Sequence, residues 1–323
     1  MKYFVTGATG FVGGTLVKQI IKNGHEVNAS VRDVEKADEL KSLGVKLFKG
    51  DVTDKESMRA AMTGVDGVYH VAGWYKVGVK DKTPGEKVNI QGTRNVLELM
   101  QELKIPKGVY TSTMAVNSDT KGKLVNETYH FTGKHISEYD RTKAIAHDIA
   151  KEFIAAGLPL VIVQPGLIYG PGDTSSLRVA LRDFLHGRLP MLPTQTAFCW
   201  SHVDDIVQGH ILAMEKGKIG ENYHICGEPY KIVDAYKLAS QVSGKRAPMT
   251  VPYQMMKILS VLVKPFDAIL PDAYTSEGLR VVAGVTYWGD NSKAKRDLGY
   301  NPRPVSAGWV ETVKYEMKLL RIQ

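Results

Sequence analysis

The chain has 323 residues, 43% of them hydrophobic and 24% charged, which suits a large buried core rather than a disordered or fibrous chain. Its formal net charge of +8 comes from scattered lysines, with no arginine-rich run, zinc-finger spacing or aromatic RNA-binding motif, so a nucleic-acid partner is not expected. The two cysteines, Cys199 and Cys226, lack the paired spacing of a zinc site and the framework of a small secreted domain, which leaves two free thiols and no expected metal.

The first element is a strand pattern at Lys2–Thr6, with no charged leader and apolar signal core ahead of it, and a cytoplasmic location is the expectation. Five more short apolar runs follow, at Glu26–Val31, Val45–Lys49, Gly67–Val71, Gly108–Ser112 and Pro159–Gln164. Helical patterns separate them, and this alternation is how a parallel sheet with crossover helices reads in sequence. The expected fold is α/β, a doubly wound parallel (Rossmann) sheet. Past Pro165 the alternation weakens in the turn-rich run Gly166–Asp173, where a smaller substrate domain begins. A helix over His202–Lys216 and a strand over Asn222–Cys226 then return to the main sheet. The dinucleotide-binding domain is thus expected to take residues 1–165 plus about 203–227, interleaved with a substrate domain of 166–202 plus 228–323.

Late in the chain, Met255, Leu259, Leu262, Phe266 and Ile269 fall at alternating steps of four and three, a helical stripe. Lys257, Lys264, Pro265 and Asp267 interrupt it, so stable membrane insertion is excluded. A packing face of the substrate domain, covering the pocket, is the leading expectation for residues 255–270. Peripheral membrane contact is the other.

Directly after the first strand, Thr6-Gly7-Ala8-Thr9-Gly10-Phe11-Val12-Gly13 leads into an amphipathic helix over Phe11–Lys22. Glycines at 7, 10 and 13 permit a tight turn, let backbone amides approach a pyrophosphate and let the helix pack on the strand. Thr9, Phe11 and Val12 lie in that turn and are expected beside the cofactor. At the end of the second strand, where an acidic residue would hold the adenosine ribose, the chain has Arg32, a bidentate donor suited to a 2′-phosphate. NADP(H) is therefore expected over NAD(H), with the following Asp33 as the residue that would favour the reverse. Asp51 after the third strand is placed to meet the adenine edge, and Ala72-Gly73 after the fourth lets a cofactor lie close.

Tyr139 and Lys143 are four residues apart and so share one helix face. An ammonium near a phenol stabilises phenolate and draws its pKa toward working pH. Such a tyrosine can give a proton to a carbonyl oxygen as hydride arrives, or take one in reverse. Ser112 and Thr113, upstream at the end of the fifth strand, offer hydroxyls to hold that oxygen.

With these motifs in order, the chain resembles the extended short-chain dehydrogenase/reductase family, which includes nucleotide-sugar epimerases, dehydratases and dihydroflavonol-reductase-like enzymes. The likeness runs through Thr6-Gly7-x-x-Gly10-x-x-Gly13, Asp51-Val52, His70-Val71-Ala72-Gly73, Asn89-x-x-Gly92-Thr93, Thr111-Ser112-Thr113, Tyr139-x-x-x-Lys143, Pro165-Gly166 and His202-Val203-Asp204-Asp205. It implies Tyr139 as acid/base and Lys143 as its partner, also bonded to the nicotinamide ribose. It places the active hydroxyl at Thr113, with Ser112 beside it, and sets Val52, Asn89 and Pro165 along the cofactor. It further implies a homodimer, in which helices near Glu86–Lys104 and His135–Ala156 pair with their copies.

Trp74, Tyr75, Tyr169, Phe198 and Trp200 fall where substrate loops are expected, and together they suit a planar or apolar substrate, although for each one alone ordinary packing is the favoured expectation. Sugar epimerases of the family carry an arginine shortly before His-Val-x-Asp to hold a diphosphate. Phe198 stands there in this chain, although Arg178 and Arg182 could bring charge from elsewhere. The leading expectation is an NADP(H)-dependent reductase of a small-molecule ketone or aldehyde. A nucleotide-sugar epimerase or dehydratase and a non-catalytic nucleotide-binding protein are the alternatives.

Overall fold

A computed structural model describes residues 1–322. Its strands in chain order are β1 (Lys2–Thr6), β2 (Glu26–Val31), β3 (Lys46–Lys49), β4 (Gly67–His70), β5 (Gly108–Thr111), β6 (Leu160–Pro165), β7 (Leu167–Tyr169) and β8 (Met191–Pro193). They are followed by β9 (Ala197–His202), β10 (Asn222–Ile225), β11 (Pro229–Lys231), β12 (Met249–Val251) and β13 (Thr286–Tyr287). Seven of them form a parallel sheet in the order β10-β6-β5-β4-β1-β2-β3. This is the doubly wound arrangement, with the six early strands found within one or two residues of their expected bounds.

The sheet is buried on both faces, which is why its strands read as apolar runs rather than as alternation. One face packs Leu16, Val17 and Ile20 of the Phe11–Lys22 helix against Ile206 and Leu212 of the Val203–Lys216 helix. The other carries Met58 and Met62, Val96 and Leu97, and Ala146 and Ile149, from three successive crossover helices. Strand β10 pairs with β6, bringing late residues back to the large sheet.

The remaining strands are short. β9 is flanked by β11, β13 and β7, and β8 pairs with β12. Runs of two or three residues carry no readable periodicity, so β7, β8, β11, β12 and β13 had no expectation in sequence. A separate core surrounds β9, where Trp309 meets Tyr169 and Trp200 edge to face and those two tilt against each other, with ring centroids 5.1 to 5.8 Å apart.

The stripe after Met255 departs from its leading expectation. Tyr253–Leu262 is helical, but it buries Met256 and Ser260, while Met255, Leu259, Leu262, Phe266 and Ile269 face solvent. Periodicity identified the helix. It said nothing about which face would be covered. Among the described residues no helix is long and apolar enough to cross a membrane.

Candidate active site

The carboxyl ends of β1, β4 and β5 open on one side of the sheet, where the glycine turn meets the segment after β4. Gly7 has a φ of +72°, and a Cβ there would stand 2.9 Å from the Ala72 amide nitrogen. A Cβ on Gly13 would stand 2.1 Å from the Gly7 carbonyl oxygen, so the first helix turn lies directly on the strand end. Gly10 caps that helix without a side-chain acceptor, leaving its first amides available. Thr6, one residue upstream, organises the floor: its hydroxyl accepts from the Val71 and Ala72 amides at 3.0 Å and meets His70 Nδ1 at 2.9 Å. Thr9 is exposed, and Phe11 and Val12 are partly so. This cradle, closed to any side chain and bordered by free helix amides, fits a dinucleotide pyrophosphate.

At the adenosine end, Arg32 is exposed, and Asp33 is engaged by Lys36 at 3.2 Å and by the Glu35 amide at 3.1 Å. Asp51 accepts from the Thr53 amide and hydroxyl, both at 2.8 Å, with Val52 buried beside it. Gly73 is exposed, its Cα side 3.6 Å from the Asn89 amide oxygen in Cβ terms.

Asn89 sits in a π-helical turn, Glu86–Gln91, a wider backbone that recurs at functional sites. Its side chain is almost wholly buried. The amide oxygen accepts from the Trp74 nitrogen at 2.8 Å, and the amide nitrogen donates to the Trp74 carbonyl and the Thr142 hydroxyl, each at 2.9 Å. Asn89 therefore ties the segment after β4 to the helix that carries Tyr139.

That helix, Glu138–Ala155, starts at Ser137, whose hydroxyl caps the Asp140 amide. Tyr139 in its first turn is partly buried, and burial pushes its phenol up to about 12, with the neighbouring Thr113 hydroxyl pulling the other way. One turn on, Lys143 is buried, and burial draws its ammonium down to about 7. Its Nζ donates to the Tyr110 hydroxyl at 3.1 Å and the Thr111 carbonyl at 2.8 Å. Ser112 points elsewhere, its hydroxyl 2.8 Å from His147 Nδ1. Of the two candidate hydroxyls, Thr113 is the one at Tyr139.

Two residues with no expectation from sequence complete this corner. Asp140, next to Tyr139, accepts from Ser137 at 2.7 Å and from the Tyr287 hydroxyl at 2.6 Å, and burial raises its carboxyl to about 6. Its position in the first helical turn was the available signal. Tyr110 gave none beyond a strand aromatic. Tyr287 lies 5.6 Å, ring to ring, from Phe198, which brings that side chain toward the Tyr139 helix.

The other aromatics divide. Trp74 packs on Gly85, Tyr75 is exposed with its hydroxyl 3.3 Å from that of Thr174, and Pro165 is buried at the end of β6. Tyr169 and Trp200 are each 1% exposed and pack within the β9 core. Arg178 and Arg182 are also accounted for: both donate to Glu316, at 2.7 and 2.6 Å, and that carboxylate is 1% exposed.

A family model described as the NAD dependent epimerase/dehydratase family matches residues 3–226. The chain belongs to that family. As an NAD-dependent epimerase/dehydratase-family protein it is an enzyme of the extended short-chain dehydrogenase type, an oxidoreductase. Among relatives, it is 30% identical to "Sterol demethylase protein B" of Methylococcus capsulatus, over 98% of each chain. It is 28% identical to the "4-hydroxy-2-methyl-3-oxo-4-farnesyl-3,4-dihydroquinoline-1-oxide ketoreductase" of Stigmatella aurantiaca, over 94% of this chain and 92% of that one. Among solved structures, gox2253 matches with a TM-score of 0.86 and 30% identity over 99% of both chains. The UDP-glucose 4-epimerase of Thermotoga maritima shares the family fold, with a TM-score of 0.79 and 23% identity over 99% of this chain and 100% of that one.

Proposed function

We propose that this oxidoreductase reduces a ketone or aldehyde on an apolar small molecule, using NADPH in preference to NADH. The observation that carries the reading is Tyr139 beside the Thr113 hydroxyl, one helical turn from buried Lys143, on a helix that Asn89 ties to the segment after β4. When bound, NADPH supplies hydride to the carbonyl carbon. Tyr139, whose raised pKa keeps its proton at neutral pH, gives that proton to the carbonyl oxygen. Thr113 holds the same oxygen in line. Lys143, released from Tyr110 and Thr111, would offset the charge left on the phenolate and bond the nicotinamide ribose.

For the substrate, the residues that could hold a diphosphate weigh most. Arg178 and Arg182 both serve Glu316, and Phe198 stands where epimerases hold an arginine. The pairing of those arginines, and the ketoreductase among the relatives, support a carbonyl substrate with a large apolar portion. Arg32, exposed beside an Asp33 already engaged by Lys36, supports the 2′-phosphate. The proposal also includes a cytoplasmic homodimer formed through the helices Gly92–Glu102 and Glu138–Ala155.

The test is consumption of NADPH, then NADH, followed by absorbance with a panel of aromatic and alkyl-chain aldehydes and ketones. Tyr139→Phe is expected to lower turnover by about 10²- to 10⁴-fold while leaving NADPH binding in place. Undiminished activity in that variant would overturn the assignment. No turnover by the wild type, together with cofactor retained through purification, would shift the reading to a nucleotide-sugar epimerase or dehydratase.

A further inference from the structure

The helix Tyr253–Leu262 presents Met255, Ile258, Leu259 and Leu262, the i, i+3, i+4, i+7 set of one helical face, at 53, 61, 40 and 63% exposure. Phe266 and Ile269 in the turns that follow extend this surface at 56 and 78%. Single exposed apolar side chains are ordinary in soluble proteins. Six large ones on one short segment mark an interaction surface.

The charge around it is basic. Lys257 and Lys264 lie within the segment, and Lys76 and Lys80 lie in a loop that packs at Gly78 on the turn just after it, where a Cβ would stand 2.1 Å from the Asp272 carbonyl oxygen. All four lysines are exposed. Lys76 and Lys257 lie over the rings of Tyr75 and Tyr253, and none of the four has a carboxylate partner among the described residues. The acidic residues nearby are fewer and partly engaged: Asp267 accepts from the Ser276 amide and hydroxyl, Asp81 accepts from the Thr83 amide, and Asp272 is exposed.

We propose that the segment Tyr253–Ile269 docks this enzyme on the surface of an anionic phospholipid bilayer. Its apolar side chains enter the boundary between headgroups and acyl chains, and the lysines meet the lipid phosphates. The lysines beside the apolar face give it the charge complement of a phosphate surface. Docking also brings the site to the membrane. Glu277, in the helix after the segment, pairs with Lys82 and accepts from the Glu138 amide at the head of the Tyr139 helix. Arg280 donates to the Ile136 carbonyl at 2.9 Å, a second tie to the same place.

Sedimentation with vesicles of phosphatidylcholine, with and without phosphatidylglycerol, tests the proposal. The wild type is expected to sediment with the phosphatidylglycerol vesicles and several-fold less with phosphatidylcholine alone, and added salt should weaken the binding. The double variant Leu262→Asp/Ile269→Asp alters only exposed positions, so it should keep the wild-type melting temperature and lose vesicle binding. Lys257→Glu/Lys264→Glu should lower binding without abolishing the fold. A wild type that ignores both vesicles, or a double variant that binds as well as wild type, overturns the proposal. So does a wild type that ignores vesicles but is a dimer which the double variant splits, since the face would then belong to a second copy. Tyr139→Phe should bind vesicles normally, so failure of the reductase reading leaves this one standing.

Discussion

At the scale of single residues, the cofactor cradle is set by what is missing. Alanine at Gly13 would place a methyl carbon 2.1 Å from the Gly7 carbonyl oxygen, a backbone atom that cannot swing away. The helix would have to lift from the strand, and strain of about 1–3 kcal/mol is usual for overpacking of this kind. Gly13→Ala is therefore expected to weaken NADPH binding by about tenfold or more, read by titration calorimetry. Arg32 acts by addition instead. Hydrogen bonds to charged groups contribute about 1.5–3 kcal/mol, so Arg32→Ala should raise the KM for NADPH roughly ten- to a hundredfold and leave that for NADH nearly unchanged. Equal effects on both cofactors would remove the 2′-phosphate reading.

At the scale of elements, the π turn Glu86–Gln91 is the joint of the site. Asn89 fills three hydrogen-bonding roles there, and Asn89→Ala would leave the Trp74 amide and carbonyl without their partner. A cost of about 1–3 kcal/mol is expected, seen as a lower melting temperature, together with reduced turnover as the Trp74 segment and the Tyr139 helix lose their tie. Unchanged turnover in a folded variant would show that the tie does not matter to the site. The sequence made Asn89 visible as a motif but not as a joint, because its partners lie 15 and 53 positions away. The same limit applies elsewhere. Strands, glycine cradle and the Tyr139–Lys143 face follow local patterns, and these were legible. Tyr169 and Trp200 kept two readings in sequence, pocket or core, because an aromatic beside a turn looks alike in either, and their burial around β9 fits the core. The stripe after Met255 was misread for a related reason: period gives a face, and only tertiary contacts decide what that face meets.

At the scale of the whole molecule, buried histidines set the acid response. His70, His147 and His210 are pushed by burial down to about 3, 3 and 4, against an ordinary 6.5. Below the ordinary value the unfolded chain binds protons at these rings that the folded chain refuses, so stability present above pH 6.5 is lost as pH falls toward 4. Asp140 opposes this, since its folded carboxyl near 6 takes a proton that the unfolded one, at 3.8, does not. Asp173, also raised by burial, opposes it too, but burial lowers His135, His202 and His224 as well, so the histidines outnumber the carboxyls and a net loss remains. The melting temperature is expected to fall between about pH 7 and about pH 5, and less steeply in His210→Gln. A flat profile would contradict the neutral burial of these rings. Light scattering tests assembly at the same scale: the proposed homodimer predicts twice the chain mass at micromolar concentration, and a monomer would refute it.

The place of β10 has a consequence for synthesis. The strand at Asn222–Ile225 completes the sheet beside β6, more than fifty residues after β6 ends. A ribosome making this chain therefore exposes a long, apolar, unpaired strand edge until residue 225 has emerged, and the half-made sheet is open to pairing with its neighbours. The late return of β10 to the seven-stranded sheet makes the nascent chain dependent on timing, and truncations that stop before β10 should aggregate rather than fold.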